Sequence, residues 1–378
     1  MTNPSRPPAS PDLPEAINPI LVLQSRGGLI ESFARGAFAV ADPHGELVAA
    51  IGATDRPVFP RSAIKLIQAL GLVESGAADA FKLSDIELAL ACASHSGEPA
   101  HVEAVARWLG RIGARAEDLD CGPHPPLDPA AAAALAKAGQ APSRLHNNCS
   151  GKHTGFLTLA RHLGAPLAGY DHLDHPVQIR AVEALASLSG MEGTEFVAAI
   201  DGCGAPNFAL PLRALATAFA RIADSSSLAK ERREAILRLS AAARANPFFT
   251  AGTDRLCTRI MSEAPDIYVK TGAEGVYIAA LPALGLGLAL KIDDGGKIAA
   301  EALLVALLVG LGALDPDSQI VTGTAIAAVR NTQGRIVGAR EVLLDLLIET
   351  LADFSPQALA ATAAARPQVE AAGGDLPR

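Results

Sequence analysis

The chain has 378 residues, of which 49% are hydrophobic and only 4% aromatic. This apolar content excludes a wholly disordered chain and predicts a mostly aliphatic core. The 40 acidic and 32 basic residues give a formal net charge of -8. A chain with this balance has no basic surface for nucleic acid or anionic membranes, so we expect neither as a partner.

The sequence also argues against a membrane or secreted protein. The longest apolar run, residues 302–314, is shorter than the roughly 20 residues that a membrane span needs. Residues 1–17 are rich in Pro and Ser and carry no apolar signal, and we predict disordered tails at 1–17 and 367–378. The five cysteines are odd in number and lack CxxC spacing, which disfavours a disulfide scaffold. We therefore expect a soluble cytoplasmic protein.

Strand patterns open the chain, helical patterns fill its middle, and strand patterns return near its end. The predicted strands are 20–24, 37–42, 46–51, 266–270, 275–280, 285–292, 326–330 and 335–337. The predicted helices are 62–74, 85–93, 99–109, 129–138, 151–163, 176–188, 209–222, 228–245 and 298–311. Ser84, followed three residues later by Glu87, forms a capping-box pattern at the second helix.

Early and late strands are expected to share one sheet, because a two-stranded ribbon alone is marginally stable. The predicted fold is therefore α/β, with an antiparallel sheet formed from both chain ends, flanked by helices and carrying an inserted helical lobe. We expect one domain over 18–366, with a sheet lobe at about 18–60 and 265–345 and a helical lobe at about 61–264. A cleft between the lobes is the natural place for a site.

Two short motifs point to serine chemistry. In Ser62-Ala63-Ile64-Lys65, the serine and lysine share a helix face, so the amine can hydrogen-bond the hydroxyl and act as its base when its pKa is lowered. Alone, the motif is more often an ordinary helix start with an exposed lysine. A later Lys270-Thr271-Gly272 completes part of the signature of active-serine β-lactamases, and Ser94 lies between the two motifs.

Two cysteine-containing segments indicate a second cluster. Cys149 lies in the polar stretch 147–154, which opens an apolar helix, and Cys203 is flanked by glycines in 201–207. The pair can be a disulfide, two buried thiols, a catalytic thiol pair or metal ligands. In a reducing compartment a metal site or a catalytic role ranks above a disulfide. Thiolates suit zinc, and Lys152 and His153 are the nearest candidates for a third ligand.

Taken together and in order, five blocks resemble the asparaginase II family, the rhizobial-type L-asparaginases. The blocks are 60–65 (PRSAIK), 94–98 (SHSGE), 147–153 (NNCSGKH), 201–204 (DGCG) and 270–275 (KTGAEG). The resemblance spans about residues 19–340. It implies a serine β-lactamase and glutaminase-like fold, a homodimer, and hydrolysis of L-asparagine to L-aspartate and ammonia.

The resemblance also implies functional residues. It implies two catalytic pairs, Ser62 with Lys65 and Ser94 with Lys270. It implies a Zn²⁺ cofactor bound by three residues, which are Cys149, Lys152 and Cys203. We assign five further residues to the substrate-binding site: Arg61, Asn147, His153, Asp201 and Gly272.

The resulting hypothesis makes Ser62 the nucleophile and Lys65 its base, with Ser94 and Lys270 as a second relay that protonates the leaving ammonia. Two neighbouring lysines lower each other's pKa, which suits a neutral base. Backbone N–H groups at Ser62 and after Lys270 would form the oxyanion hole, and zinc would position the substrate. The alternatives are a glutaminase, a β-lactamase-like hydrolase, and a non-catalytic amide-binding protein.

Overall fold

The computed structural model describes residues 18–364 and residue 367, so the predicted tail 1–17 and all of the predicted tail 367–378 except residue 367 lie outside the described residues. The strands are β1 (Ile20–Arg26), β2 (Leu29–Ala41), β3 (Leu47–Ile51), β4 (Pro57–Val58), β5 (Val197–Ile200), β6 (Pro206–Pro211), β7 (Tyr268–Thr271), β8 (Val276–Leu281), β9 (Leu286–Ile292), β10 (Ile326–Arg330) and β11 (Ile336–Val342).

Helices fill most of the chain between β4 and β7 and cover the sheet. They are α1 (Lys65–Glu74), α2 (Ala77–Ala80), α3 (Asp85–Ala91), α4 (Pro99–Arg111), α5 (Pro129–Lys137), α6 (Ser150–His162), α7 (Pro176–Ser189), α8 (Leu212–Ala223), α9 (Lys230–Ala245), α10 (Pro247–Thr250), α11 (Leu256–Glu263), α12 (Lys297–Gly310), α13 (Gln319–Thr324), α14 (Leu344–Thr350) and α15 (Pro356–Ala364). None of the helices in the described ranges is long and apolar enough to cross a membrane.

The main sheet joins the two ends of the chain. Eight strands pair in the order β10-β11-β1-β2-β9-β8-β7, with β3 added beside β2. All of these pairings are antiparallel. Strands β1–β3 come from the beginning of the chain and β7–β11 from its end, which confirms the predicted mixed α/β fold with a shared antiparallel sheet.

Strand β2 connects the two halves of this sheet. Its first half pairs with β1, while its second half pairs with β3 along one edge and with β9 along the other. Gly36 lies where β2 first meets β9, and a Cβ there would come within 2.6 Å of the backbone oxygen of Lys291. A side chain at this position would therefore push β9 away from β2.

Helices cover both faces of the sheet. Every residue of β8 is buried, and α8 and α12 both pack on β8 and β9. At Gly287 of β9 a Cβ would lie 2.1 Å from the backbone nitrogen of Ala220 in α8, so the helix approaches the strand directly. The predicted buried helix over 298–311 is confirmed as α12, whose residues from Ala302 to Gly310 are all buried. This aliphatic burial is the main stabilising contribution to the fold.

A second sheet was not expected from the sequence. Strands β4, β6 and β5 pair in that order, and β5 and β6 lie within the region predicted to be helical. The predicted helix over 209–222 is wrong at its beginning, because residues up to Pro211 belong to β6 and α8 begins at Leu212. The Ala and Leu residues there suit either state, and pairing with β5 decides in favour of a strand.

The segment carrying Ser62 enters α1 through a tight turn. Residues Arg61–Ile64 form a 3₁₀ turn, and the regular helix begins at Lys65. Helix α3 begins with the predicted capping box, in which the Ser84 backbone N–H donates to Glu87 Oε2 at 2.8 Å. Ser94 follows the end of α3 by three residues. These two helices deliver a lysine and a serine to the same place.

Candidate active site

Five segments meet beside the end of β7. They are the 3₁₀ turn with Ser62, the segment after α3 with Ser94, the start of α6 with Cys149, the loop 201–204, and the end of β7 with Lys270. Two cavities of about 190 and 210 Å³ adjoin them, and both are lined by Ser62, Asn148 and Ala273. The five blocks recognised in the sequence thus converge in space.

Ser94 is bonded to both predicted catalytic lysines. Lys65 Nζ donates to Ser94 Oγ at 2.9 Å, and Lys270 Nζ donates to the same oxygen at 2.8 Å. All three residues are almost completely buried, with exposed fractions of 4% or less. The predicted contact between Ser94 and Lys270 is therefore present, and Ser94 also contacts Lys65.

Burial makes Lys270 a weak base for a lysine. Desolvation, followed by the nearby charge of Lys65, lowers the pKa of Lys270 to about 7. Its remaining contact is a hydrogen bond to the backbone oxygen of Thr271 at 2.8 Å. Near neutral pH this amine therefore exchanges protons readily, which is the property that a proton relay needs.

The predicted hydrogen bond between Ser62 and Lys65 is not present. An ammonium has three donors, and Lys65 directs them to the backbone oxygen of Ala93, to Ser94 Oγ, and to Cys149 Sγ at 3.1 Å. Within the described residues the Ser62 hydroxyl makes no hydrogen bond. It is half-buried and lines both cavities, so it faces the space where a substrate would lie.

The two cysteines of the second cluster are free thiols, as are the other three in the chain, which excludes the disulfide alternative. The hydrogen bond between them, together with burial, raises the pKa of Cys149 to about 12. The same bond, helped by the charge of Lys152, lowers the pKa of Cys203 to about 4. Cys203 is therefore the more acidic of the two thiols, and Lys152 Nζ lies 3.2 Å from its sulfur.

Lys152 stays charged although it is buried. Burial alone would lower the pKa of Lys152, but the charges of Cys203 and Cys149 outweigh it and raise that pKa above the ordinary value. Of the three residues predicted as metal ligands, Lys152 and Cys203 are in contact, and the charge of Cys149 also acts on Lys152. No group of three His, Cys, Asp or Glu side chains in the described part of the chain could by itself hold a metal ion.

Arg61 and Asp201 form an ion pair at the rim of one cavity. Arg61 Nε donates to Asp201 Oδ1 at 2.7 Å, and Arg61 has a left-handed φ of 53°. Burial raises the pKa of Asp201, but the hydrogen bond from Arg61 and the charge of Lys152 outweigh it and lower the pKa. The backbone N–H of Arg61 also donates to Asn207 Oδ1 at 3.2 Å, which helps to hold this strained turn.

Two predicted substrate-binding residues have other tasks. Asn147 donates to the backbone oxygens of Cys121 and Gly122 and accepts from the backbone N–H of Cys149, so its amide holds the loop together. His153 lines neither cavity, and its Nδ1 lies 2.6 Å from the hydroxyl of Tyr170. Their polar groups suit binding, but tertiary contacts already engage them.

Gly272 is important because it has no side chain. A Cβ on Gly272 would lie 2.4 Å from the backbone oxygen of Pro60, so the end of β7 packs directly on the turn that carries Ser62. Its N–H donates to the backbone oxygen of Val276 at 2.7 Å. This bond removes the Gly272 N–H from the predicted oxyanion hole.

Sequence reasoning missed several residues of the cavities. The additional charged and polar lining residues are His124, Asn148, Arg255, Glu274 and Lys297. One signal was available, because Glu274 lies inside the recognised block 270–275. Arg255 has no such signal in a single sequence, since only the packing of α11 against β7 brings it to the cavity.

A sheet from both chain ends with buried lysines around a serine defines a candidate hydrolase. The sequence matches the family described as L-asparaginase II over residues 22–342, and the chain belongs to that family. Its members include hydrolases that act on amides, which makes this protein an amidohydrolase. No curated protein matches the chain in a sequence comparison.

Comparison of solved structures finds distant similarities. A crystal structure of Mglu in its native form with 4.3 M NaCl is 17% identical, covers 85% of this chain and 71% of its own, and gives a TM-score of 0.42. A β-lactamase from Mycobacterium bovis is 16% identical, covers 72% of this chain and 93% of its own, and gives 0.34. Mglu has also been solved in a form that binds L-glutamate, with a TM-score of 0.42 and 16% identity.

Because the pKa of Lys270 is lowered, replacing this lysine by an uncharged residue should stabilise the protein, and the gain should depend on pH. Because the folded-state pKa of about 7 lies below the 10.5 of an ordinary lysine in the unfolded chain, protonation favours the unfolded chain. The penalty is fully present below pH 7 and disappears as the pH rises towards 10.5. Lys270→Met should therefore raise the free energy of unfolding by a few kcal/mol at pH 6, and by progressively less up to pH 10.

Urea denaturation across this pH range measures the difference between Lys270→Met and wild type. Lys230→Met, which removes an exposed lysine from α9, is the matched control and should show a small difference that does not vary with pH in this way. A Lys270→Met difference that stays constant from pH 6 to pH 10 would contradict the lowered pKa.

Proposed function

We propose that the protein hydrolyses L-asparagine to L-aspartate and ammonia, with Ser62 as the nucleophile. The observation that carries this proposal is the chain Lys65–Ser94–Lys270, buried directly below the cavities that Ser62 lines. Membership of the L-asparaginase II family supports the amide chemistry. A structural role alone does not account for two buried amines, because burying an ammonium group is costly.

The proton relay through Ser94 and Lys270 explains how Lys65 can act as the base for Ser62. Lys65 directs all three of its donors to neighbours and, while protonated, has no lone pair to accept a proton from Ser62. Neutral Lys270 can take a proton from Ser94 as Ser94 takes one from Lys65. Lys65 then becomes a free amine, and its lone pair is available to the Ser62 hydroxyl.

The reaction then proceeds by acyl transfer. Ser62 Oγ attacks the carboxamide carbon, its proton passes to Lys65, and the backbone N–H of Ser62 is a candidate donor to the oxyanion. Lys65 returns the proton to the leaving nitrogen as the carbon–nitrogen bond breaks, releasing ammonia. Water, deprotonated by the same amine, then attacks the ester carbon. Cleavage of the ester bond restores Ser62 and releases L-aspartate.

The sulfur cluster fits a zinc site in its donor chemistry. Cys203 has a lowered pKa, its sulfur contacts the Lys152 amine, and Cys149 lines the same cavity, so Cys149, Lys152 and Cys203 would bind Zn²⁺ after losing their protons. A bound zinc would supply a Lewis-acid centre that orients the polar groups of the substrate. Asn147, through its bond to the Cys149 backbone, holds this cluster beside Ser62.

The proposed activity is measured as ammonia release from L-asparagine and, in parallel, from L-glutamine. Ser62→Ala should lower kcat by about 10³-fold or more, because it removes the nucleophile. Ser96→Ala is the control, since this buried serine lies two residues from Ser94 and, among the described residues, its hydroxyl donates only to the backbone oxygen of Ala251. For wild type, kcat/KM should rise with pH through about 7 as Lys270 loses its proton.

Two results would contradict the proposal. One is near-normal turnover by Ser62→Ala, which would require another nucleophile. The other is the absence of ammonia release by folded, zinc-loaded wild type from L-asparagine. A higher kcat/KM with L-glutamine would assign the same site to the glutaminase alternative, since one methylene changes binding by only about 1–3 kcal/mol.

The zinc site predicts a change in metal content. Cys203→Ser should lower the zinc bound per chain after dialysis against a zinc buffer, because a hydroxyl replaces the thiolate ligand. The matched control is Cys257→Ser, at a buried cysteine of α11 outside the cluster. Metal analysis of the purified proteins gives the readout independently of activity, and equal zinc content in wild type and Cys203→Ser would overturn the assignment.

A further inference from the structure

One of the two cavities carries charges that the proposed chemistry does not use. The cavity of about 190 Å³ is lined by both Ser62 and Ser94, and three charged side chains share its wall: Arg255, Glu274 and Lys297. None of them contacts the Lys65–Ser94–Lys270 chain through a hydrogen bond. Charged side chains beside the two serines indicate a ligand that carries complementary charges.

Arg255 is the uncommitted cation of this wall. It lies at the start of α11 and is half-buried, and its guanidinium makes no hydrogen bond or ion pair within the described residues. The other cations near the site are already engaged. Arg61 is paired with Asp201, and Lys297 lies 3.6 Å from Glu301. A half-buried guanidinium without a partner is a ready site for a carboxylate, which it can bind in a bidentate manner.

Glu274 is the uncommitted anion of the same wall. Its carboxylate makes no hydrogen bond or ion pair among the described side chains, although its backbone oxygen accepts from Lys291 Nζ at 2.7 Å. Its φ is 57°, a left-handed conformation that a non-glycine residue seldom adopts. The turn between β7 and β8 therefore holds this carboxylate at the cavity at a cost in backbone strain, which is typical of functional positions.

We propose that this cavity binds the zwitterionic head of an α-amino acid, with Arg255 on the α-carboxylate and Glu274 on the α-ammonium. The inference rests on the proposed amide hydrolysis and specifies which amides the site accepts. Arg255 and Glu274, opposite charges without a side-chain hydrogen bond or ion pair among the described residues, lie beside one cavity and match a ligand that carries both charges. Binding the head there would direct the side-chain carboxamide of the substrate to Ser62.

The second cavity is a poorer receptor for the head group. Its arginine and aspartate, Arg61 and Asp201, already neutralise each other, and its remaining charged groups are the cysteine cluster. A substrate carboxylate would have to break the Arg61–Asp201 pair before it could bind there. Arg255 is therefore the preferred carboxylate anchor, in place of Arg61, the arginine that we assigned to the substrate-binding site from the sequence.

Three amides separate the two charges. L-Asparagine carries both groups, 3-aminopropanamide lacks the carboxylate, and succinamic acid lacks the ammonium. Arg255→Met should lower kcat/KM about 10- to 100-fold for L-asparagine and succinamic acid and leave 3-aminopropanamide unchanged. Glu274→Gln should lower kcat/KM for L-asparagine and 3-aminopropanamide and leave succinamic acid unchanged. Assays well above the pKa of Lys270 keep any change in that pKa from affecting the comparison.

Arg259→Met is the matched control, because Arg259 lies one turn further along α11 and lines neither cavity. It should leave all three substrates unaffected. An equal loss on all three substrates by Arg255→Met, or no loss on any, would overturn the proposed contact with the carboxylate. A Glu274→Gln variant that treats succinamic acid and 3-aminopropanamide alike would overturn the contact with the ammonium.

A binding measurement keeps this inference separate from the proposed reaction. If wild type hydrolyses none of the three amides, the proposed function fails, and calorimetric titration with L-aspartate still tests the head-group site. Binding by wild type that weakens about 10- to 100-fold in Arg255→Met and in Glu274→Gln, but not in Arg259→Met, supports the site. Equal binding by all four proteins, or no binding by wild type, overturns it.

Discussion

Two lysine amines share one serine hydroxyl in the interior of this protein, and the rest of the site is arranged around that contact. Lys65 comes from the start of α1, Ser94 from the segment after α3, and Lys270 from β7, near the far end of the sheet. A buried ammonium group needs a hydrogen-bond acceptor for each of its protons. The elements that carry these three residues must therefore stay in register, or amines would be left buried without partners.

Several features of the fold serve this contact. The sheet is closed by strands from both chain ends, which brings β7 next to the turn that follows β4. Gly272 allows β7 to approach that turn at Pro60 without a side chain between them. Left-handed backbone at Arg61 and Glu274 stores strain on either side of Ser62. The aliphatic core around α12 provides the stability that offsets these local costs.

Much of this arrangement was predictable from sequence patterns. Apolar runs predicted the main strands, and the need to pair early strands with late ones predicted the shared sheet. The SxxK and KTG motifs predicted serine chemistry, and the family resemblance implied two Ser–Lys pairs with neighbouring lysines. Cys149 and Cys203 line the same cavity. The residues alone left four interpretations of this cysteine pair open.

Other features depend on contacts that a single sequence does not reveal. The hydroxyl that Lys65 binds is that of Ser94, 29 positions away, because the buried amine takes the acceptors around it and not its helical neighbour Ser62. Asn147 and His153 are polar residues in a functional block, but their partners are the loop backbone and Tyr170. Arg255 reaches the cavity only through the packing of α11 on β7.

The central claim is that Ser62, served by the Lys65–Ser94–Lys270 chain, forms a covalent ester with the substrate. Rapid acid quenching of wild type during turnover of L-asparagine, followed by peptide mass spectrometry, tests it most directly. The account predicts an aspartyl ester on the peptide that contains Ser62, and none in Ser62→Ala. An ester on Ser94, or turnover by Ser62→Ala with no ester on any serine, would contradict it.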